Sequence, residues 1–202
     1  MAKLYFYYAS MNAGKSTMLL QADFNYRERG MRTMLFTASM HDRDGHGVIG
    51  SRIGLQAGAN IFTPDTDLRA EVEAEHDRGK LSCVLVDEAQ FLSRAQVLQL
   101  ASICDEVGIP VLAYGLRTDF AGNLFEGSGA LLGIADALTE IKAICRCGRK
   151  ATMVVRLGAD GKVAREGAQV AIGKDVYVSL CRRHWEEEMG RATPEDLIGF
   201  SR

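Results

Sequence analysis

Ala9-Ser10-Met11-Asn12-Ala13-Gly14-Lys15-Ser16-Thr17 follows directly on the apolar run Leu4-Tyr5-Phe6-Tyr7-Tyr8 and opens a helical stretch, Thr17 to Arg29, closed by Gly30. A strand, a tight turn and a helix in that order are what a triphosphate needs. The turn's backbone N–H groups converge on the phosphates at a helix N-terminus, a Lys reaches the terminal ones, and a hydroxyl holds Mg²⁺. Gly14, Lys15 and Ser16 supply these groups. Ala9 stands where such loops commonly carry their first glycine, and a small residue serves there provided its backbone is not left-handed.

A second stretch answers the first. Ser82-Cys83-Val84-Leu85-Val86-Asp87-Glu88 is a short apolar run ending in two carboxylates, the pattern of a buried strand with acids at its carboxyl end. Phosphate-transfer folds use an Asp there to hold the Mg²⁺ opposite the loop hydroxyl. In an open parallel sheet both strand ends face one crevice, so Ser16 and Asp87 can share a metal and a triphosphate. The competing reading of Asp87-Glu88 is a solvated pair at a helix start.

The chain has 202 residues, 47% of them hydrophobic, which suits one full core and a smaller appendage. A net charge of −2 argues against a long nucleic-acid groove. Apolar runs are only strand-length, and the phosphate loop begins too early for a signal peptide, so a cytoplasmic protein without a membrane segment is expected. In such a reducing compartment five cysteines are thiols or metal ligands before they are disulfides.

Along the chain, Thr33 to Ala38 reads as a second strand. Ser39 to Asn60 reads as an irregular, functional loop carrying Gly45, Gly47, Gly50, Gly54 and Gly58. Asp65 to Arg78 is a polar helix. Ser93 caps another, with Val97, Ala101, Cys104 and Val107 on one face and Gly108 at its end; Pro110 to Tyr114 is the next strand. This alternation predicts an α/β fold, a phosphate-loop parallel sheet flanked by helices. Beyond Ile144, short strand-like runs at Ala151 to Leu157, Gln169 to Ile172 and Val176 to Leu180 predict a small β subdomain. Its ends carry Cys145-Arg146-Cys147 and Cys181-Arg182-Arg183-His184, three sulfurs and an imidazole suited to a closed tetrahedral Zn²⁺ site. Buried thiols are the competing reading. A β unit with little core gains folding free energy from such a metal. Cys83 and Cys104 are read as core. The expected division is 1–143 for the ATP-binding domain, 144–190 for the zinc subdomain, and 191–202 for a tail whose sequence carries no further signal.

Taken with Asp87-Glu88-Ala89-Gln90-Phe91, Gly115-Leu116-Arg117-Thr118-Asp119-Phe120 with Phe125, and Gly173-Lys174-Asp175-Val176-Tyr177-Val178-Ser179-Leu180-Cys181-Arg182-Arg183-His184-Trp185, the phosphate loop gives a sequence that resembles the bacterial branch of the cytosolic-type (class II) thymidine kinases up to about Trp185. The resemblance implies transfer of the γ-phosphate of ATP to the 5′-hydroxyl of thymidine or deoxyuridine, with Mg²⁺, a structural Zn²⁺, feedback inhibition by dTTP, and a homotetramer. It implies that Glu88 is the catalytic base and that Ser16 and Asp87 hold magnesium. ATP contacts fall to Ala9, Ser10, Met11, Asn12, Ala13, Gly14, Lys15 and Ser16, together with Asp87, Glu88, Ala89 and Gln90. Phe91, Leu116, Phe120 and Phe125 match the apolar side of the nucleoside pocket, although core packing competes for the three phenylalanines. Tyr177 and the backbone of Val170, Ala171, Ile172 and Gly173 match a lasso-like lid over the base. Zinc ligation falls to Cys145, Cys147, Cys181 and His184. Arg43, within His41-Asp42-Arg43, matches a mobile-loop arginine whose partner Asp is displaced by one position, and Arg117 and Leu124 stand where many relatives have Asp and Pro. The competing function is a nucleic-acid-binding ATPase with the zinc unit as its DNA-binding module, drawing on Arg146, Arg149, Lys150, Arg182 and Arg183. A motor of that kind calls for a wider basic track and an aromatic stacking platform, neither of which the sequence offers.

Overall fold

The computed structural model describes residues 1–40, 45–170 and 176–190. They form two compact units: residues 1–8, 14–117 and 125–141 in the first, and 9–13, 118–124 and the chain from Lys142 in the second.

In the first unit the elements run β1 (Leu4–Ala9), α1 (Lys15–Glu28), β2 (Arg32–Ala38), β3 (Val48–Gly50), β4 (Gln56–Gly58), β5 (Asn60–Phe62), α2 (Leu68–Arg78), β6 (Leu81–Val86), α3 (Arg94–Ser102), β7 (Val111–Leu116), α4 (Glu126–Ile134) and β8 (Ala137–Glu140). Six strands make one sheet in the order β5-β2-β6-β7-β1-β8. The pairs β2 to β5, β2 to β6, β6 to β7 and β1 to β8 are parallel.

Strand side chains alternate between the faces, and each face has its own helices. Phe36, Val84, Val86, Val111 and Ala113 pack with Leu68 and Val72 of α2, Val97 and Leu100 of α3, and Leu131 of α4. Leu35, Cys83, Leu85 and Tyr114 pack on the other face with Leu19 and Leu20 of α1. Burial on both faces explains why β6 reads as an uninterrupted apolar run. Cys83 and Cys104 are core residues, as expected.

The helix starts follow local chemistry. Gly14 takes φ 85° at the start of α1, where an L side chain would be strained. Asp67 accepts from the Ala70 N–H at 3.0 Å, so α2 begins at Leu68 and not at Asp65. Ser93 and Gln96 form a reciprocal capping box on α3. That helix loosens into a π turn over Ile103–Val107 before Gly108 ends it at φ 79°.

Ser39 to Asn60 is not uniformly irregular. β3 and β4 pair as an antiparallel hairpin, and Ile49 is wholly buried in the cluster under α1. Three-residue strands are too short to display a period of two, and glycines that suggested an irregular loop serve turns, Gly47 at φ 70° and Gly54 at φ 88°. β5 and β8 likewise carry too little pattern to be read in advance.

The second unit holds β9 (Ala143–Ile144), β10 (Lys150–Ala151), β11 (Met153–Leu157), β12 (Val176–Leu180) and α5 (Arg182–Met189). β9 pairs with β10 and β11 with β12, both antiparallel. The expected strand Ala151 to Leu157 is thus divided between two ribbons. Gln169 and Val170 lie in no strand, while the rest of that expected run, Ala171 and Ile172, falls outside the described residues. A small core joins Ala143, Ala151, Val155, Leu180, Trp185 and Met189 to Cys145 and Cys181. The Trp185 indole N–H donates to the Phe120 carbonyl at 2.9 Å.

Candidate functional site

The parallel sheet brings the carboxyl end of β6 beside the N-terminus of α1. Ser16 Oγ donates to Asp87 Oδ2 at 3.0 Å, a contact across 71 residues of chain. Asp87 is only 1% exposed, which overturns the reading of a solvated helix-start pair. Its other oxygen, Oδ1, is buried without a hydrogen-bond partner. A buried acceptor left unpaired costs about 1–3 kcal/mol, which a bound group could recover. Burial, then the neighbouring Glu88 charge, pushes the Asp87 carboxyl up to about 6, against the opposing pull of Ser16 and the Lys15 ammonium. A hard cation reverses that logic by supplying the missing partner, and one carboxylate with one hydroxyl is a fitting protein share of a Mg²⁺ shell.

Glu88 adopts a left-handed backbone, φ 53° and ψ 35°, immediately after β6. Strain of this kind at a non-glycine residue persists only where the surroundings impose it. The Gln90 amide holds the side chain of this residue. Its Oε1 accepts from the Leu116 N–H at 2.9 Å, which turns its Nε2 to donate to Glu88 Oε2. Ser128 Oγ donates to the Leu116 carbonyl at 2.5 Å, so both backbone groups of Leu116 are fixed. Phe91 meets Phe125 edge to face, ring centroids 5.8 Å apart. Gly127, at the start of α4, lies against the carbonyls of Ala89, Gln90 and Leu92, where a side chain has no room.

In the second unit, Ser179 Oγ donates to the Met11 carbonyl at 2.5 Å and Asn12 Nδ2 to the Tyr177 carbonyl at 3.4 Å, so residues 9–13 are anchored on β12. Ala9 avoids the left-handed region and Asn12 takes it, φ 62°. Phe120 is buried, with the Arg156 guanidinium 4.0 Å above its ring centroid. Arg156 also donates to the carbonyls of Ala168 at 2.8 Å and Glu166 at 3.2 Å. Gln169 Nε2 reaches Asp119 Oδ2 at 3.1 Å and the Leu124 carbonyl at 3.3 Å. The run approaching Val170 is therefore tied to the turn that carries Phe120. The expected site residues Arg43, Ala171, Ile172 and Gly173 lie outside the described residues.

Cys145, Cys147, Cys181 and His184 offer ligand atoms all within 4.8 Å of one another. His184 Nδ1 lies 3.1 Å from Cys145 Sγ and 3.5 Å from Cys181 Sγ, and the Cys147 and Cys181 sulfurs are 3.9 Å apart. A Zn–S bond of about 2.3 Å gives tetrahedral edges of roughly 3.7 Å, so the cluster fits a closed Cys₃His site. Burial raises the Cys145 thiol, but the Cys147 and Cys181 backbone N–H groups and His184 outweigh it and draw the thiol down to about 6. The His184 backbone N–H favours the Cys181 thiolate, yet burial and the two other thiols leave that group raised. A divalent metal held by the four groups would favour both thiolates at once.

Gln90 as a clamp on Glu88, Ser128, Gly127 and Arg156 were not read from the sequence in these roles. Arg156 left a signal, a charge interrupting the apolar run Met153-Val154-Val155-Arg156-Leu157. Gly127 left a weaker one, a glycine in the first turn of a helix.

The family model described as thymidine kinase matches residues 2–185. A thymidine kinase of Mesorhizobium japonicum is 68% identical over 200 residues, covering 99% of this chain and 98% of that one. One from Novosphingobium aromaticivorans is 66% identical over 95% of this chain and 100% of its own. One from Vibrio parahaemolyticus is 57% identical over the same shares. With Ser16 bonded to the buried Asp87, Glu88 next in the chain and the Cys₃His cluster gathered, this chain belongs to the thymidine kinase family.

Proposed function

We propose that this chain transfers the γ-phosphate of ATP to the 5′-hydroxyl of thymidine, and of deoxyuridine, giving dTMP for the salvage of DNA precursors. The observation that carries the reading is the junction of Ser16 with Asp87, one carboxylate oxygen buried and unpaired, with Glu88 next in the chain. Family membership supports the choice of nucleoside.

The backbone of Ala9 to Ser16 and the Lys15 ammonium take the phosphates, while Ser16 and Asp87 hold Mg²⁺, which when bound neutralises charge on the transferring group. Glu88 accepts the proton of the 5′-hydroxyl as that oxygen bonds to the γ-phosphorus. The bond to the β,γ-bridging oxygen breaks, and ADP leaves. Gln90 keeps the Glu88 carboxylate turned for this. Phe91, Leu116, Phe120 and Phe125 contribute apolar surface to the nucleoside, Tyr177 fixes its position, the backbone of Val170 to Gly173 reads the pyrimidine edge, and Arg43 serves the phosphates. Residues 1–143 act as the ATP-binding part and 144–190 as the part that zinc holds folded. Feedback inhibition by dTTP, a homotetramer and a cytoplasmic location complete the proposal; among the described residues no helix is long and apolar enough to cross a membrane.

The test incubates the protein and Mg²⁺-ATP with thymidine, deoxyuridine, deoxycytidine and deoxyadenosine separately, with and without single-stranded DNA. Thymidine and deoxyuridine should be phosphorylated well and the other two hardly at all, because an unpaired buried polar edge costs about 1–3 kcal/mol per group. Equal use of deoxycytidine or deoxyadenosine defeats the substrate assignment. ATP hydrolysis that rises with DNA and ignores nucleosides defeats the kinase.

A further inference from the structure

Asp87 is one of two described side chains that bury a polar atom without a partner; the other is Thr37, whose Oγ1 is unpaired in a residue with no exposed surface. The two are neighbours in the fold. β2 and β6 pair in parallel with Phe36 beside Val86, and the Asp87 N–H donates to the Phe36 carbonyl at 2.8 Å, so Thr37 and Asp87 each stand one residue beyond that pair. They also share a face. Leu35 and Leu85, two residues back on each strand, pack in the cluster under α1, and Ser16 at the head of α1 bonds Asp87.

A lone unsatisfied hydroxyl in a core is a defect, but two unsatisfied oxygens on neighbouring strand ends of one sheet face point to a shared task. Direct ligation by both is not required. Mg²⁺ sheds its water reluctantly and keeps several waters when bound, and each retained water needs acceptors for its two protons. We propose that Thr37 belongs to the metal–nucleotide site as a positioning residue, its hydroxyl accepting a hydrogen bond from a water of the hydrated divalent cation held by Ser16 and Asp87. The inference rests on the phosphoryl-transfer reading above and adds to it a residue of β2 that neither the phosphate loop nor the acidic motif contains.

The variants are Thr37→Val, which keeps shape without the hydroxyl, and the pair Thr37→Ser and Thr37→Ala, which differ only in the hydroxyl. Two measurements are made on each: Mn²⁺ affinity in the presence of the β,γ-imido analogue of ATP, and thermal stability without metal or nucleotide. Thr37→Val should bind Mn²⁺ about 3- to 10-fold more weakly while melting no lower than the parent, because removing a buried orphan does not harm the empty fold. Thr37→Ser should hold Mn²⁺ like the parent, and Thr37→Ala should not. Parental Mn²⁺ affinity in Thr37→Val overturns the proposal, as does equal weakening in the Ser and Ala variants, which marks Thr37 as packing only. Should the valine variant fail to fold, the Ser and Ala pair decides. Failure of the parent itself to bind Mn²⁺ with the analogue, or to phosphorylate thymidine, defeats the phosphoryl-transfer reading instead.

Discussion

The two units solve the problem of buried polar groups in opposite ways. In the first, a sheet covered on both faces leaves two polar atoms unpaired at its carboxyl edge among the described residues, Thr37 Oγ1 and Asp87 Oδ1. In the second, where two of the eight residues in the core cluster are cysteines of the metal site, the buried Arg156 and Asp119 are tied to carbonyl, amide or ring partners. A large apolar core offsets a few kcal/mol of unsatisfied polarity and can reserve it for a ligand. A small one has less to set against such a cost: its polar groups are paired, and a metal on the four clustered groups would add folding free energy.

The comparison is broken most directly at the zinc cluster. Cys181→Ser, or chelation, should collapse the second unit, because structural zinc supplies an apparent 10–16 kcal/mol in small zinc peptides, a share of stability that a core of eight buried residues does not replace. Limited proteolysis with elemental analysis checks it: cleavage should appear within residues 142–190 while the sheet of the first unit stays resistant. Full resistance in a metal-free protein would show that the second unit is held by its apolar contacts after all.

At the edge of the sheet the effect should be chemical and not structural. Glu88→Gln keeps the side chain's size and its contact with Gln90 but removes the base, and turnover should fall about 10²- to 10⁴-fold with ATP binding and zinc content unchanged. Wild-type turnover, with the phosphoryl step shown to be rate-limiting, would remove Glu88 from that role.

Much of the first unit was legible in advance because its signals are long or chemically specific. The apolar run into Asp87-Glu88 and the Gly14-Lys15-Ser16 turn each fix a strand end, and parallel topology then brings them together. The spacing of Cys145, Cys147, Cys181 and His184 was legible for the same reason, since few chemistries use those groups in that pattern. What stayed hidden was short or indirect. The β3–β4 hairpin is too brief for periodicity, and the glycines around it look the same in a turn as in a loose loop. Gln90 sits two residues after Glu88 in sequence, but its hold on the Leu116 backbone depends on the neighbouring strand. No local pattern says that Thr37 is an orphan, because β2 reads equally well with any β-branched residue there.

Gly127 tests how rigid the sheet edge must be. A Cβ at this position would lie 2.5 Å from the Ala89 carbonyl oxygen and 2.7 Å from that of Leu92. Those are backbone atoms, so Gly127→Ala must displace the turn that carries Gln90 and, through it, the Glu88 carboxylate. A shift of about 1 Å at a catalytic group can cost about 10²-fold, and a loss of roughly 10- to 100-fold in kcat with zinc retained is expected. Unchanged kcat would mean that the turn yields without disturbing the base, and that Glu88 is not held by this packing.

The smallest effect has the opposite sign, and it measures what the first unit gives up for its ligand. Asp87 is an acid whose carboxyl is raised from its ordinary value to about 6 by burial and by Glu88, so the empty fold prefers it protonated. For a raised acid the penalty on stability is present above the folded pKa and disappears as pH falls below the ordinary carboxylate value, since the unfolded chain is then protonated as well. Asp87→Asn, without metal or nucleotide, should therefore melt higher than the parent at pH 8. The gain should be on the order of 1–3 kcal/mol, or about 2–10 °C for a chain of this size. It should shrink as the pH is lowered through 6 and vanish near pH 4. Adding Mg²⁺ and a non-hydrolysed ATP analogue at pH 8 should reverse the ranking, because only the parent carboxylate gains from the cation. A variant less stable than the parent across this whole range would show that Asp87 is a structural acid satisfied by Ser16, and that the sheet edge holds nothing in reserve.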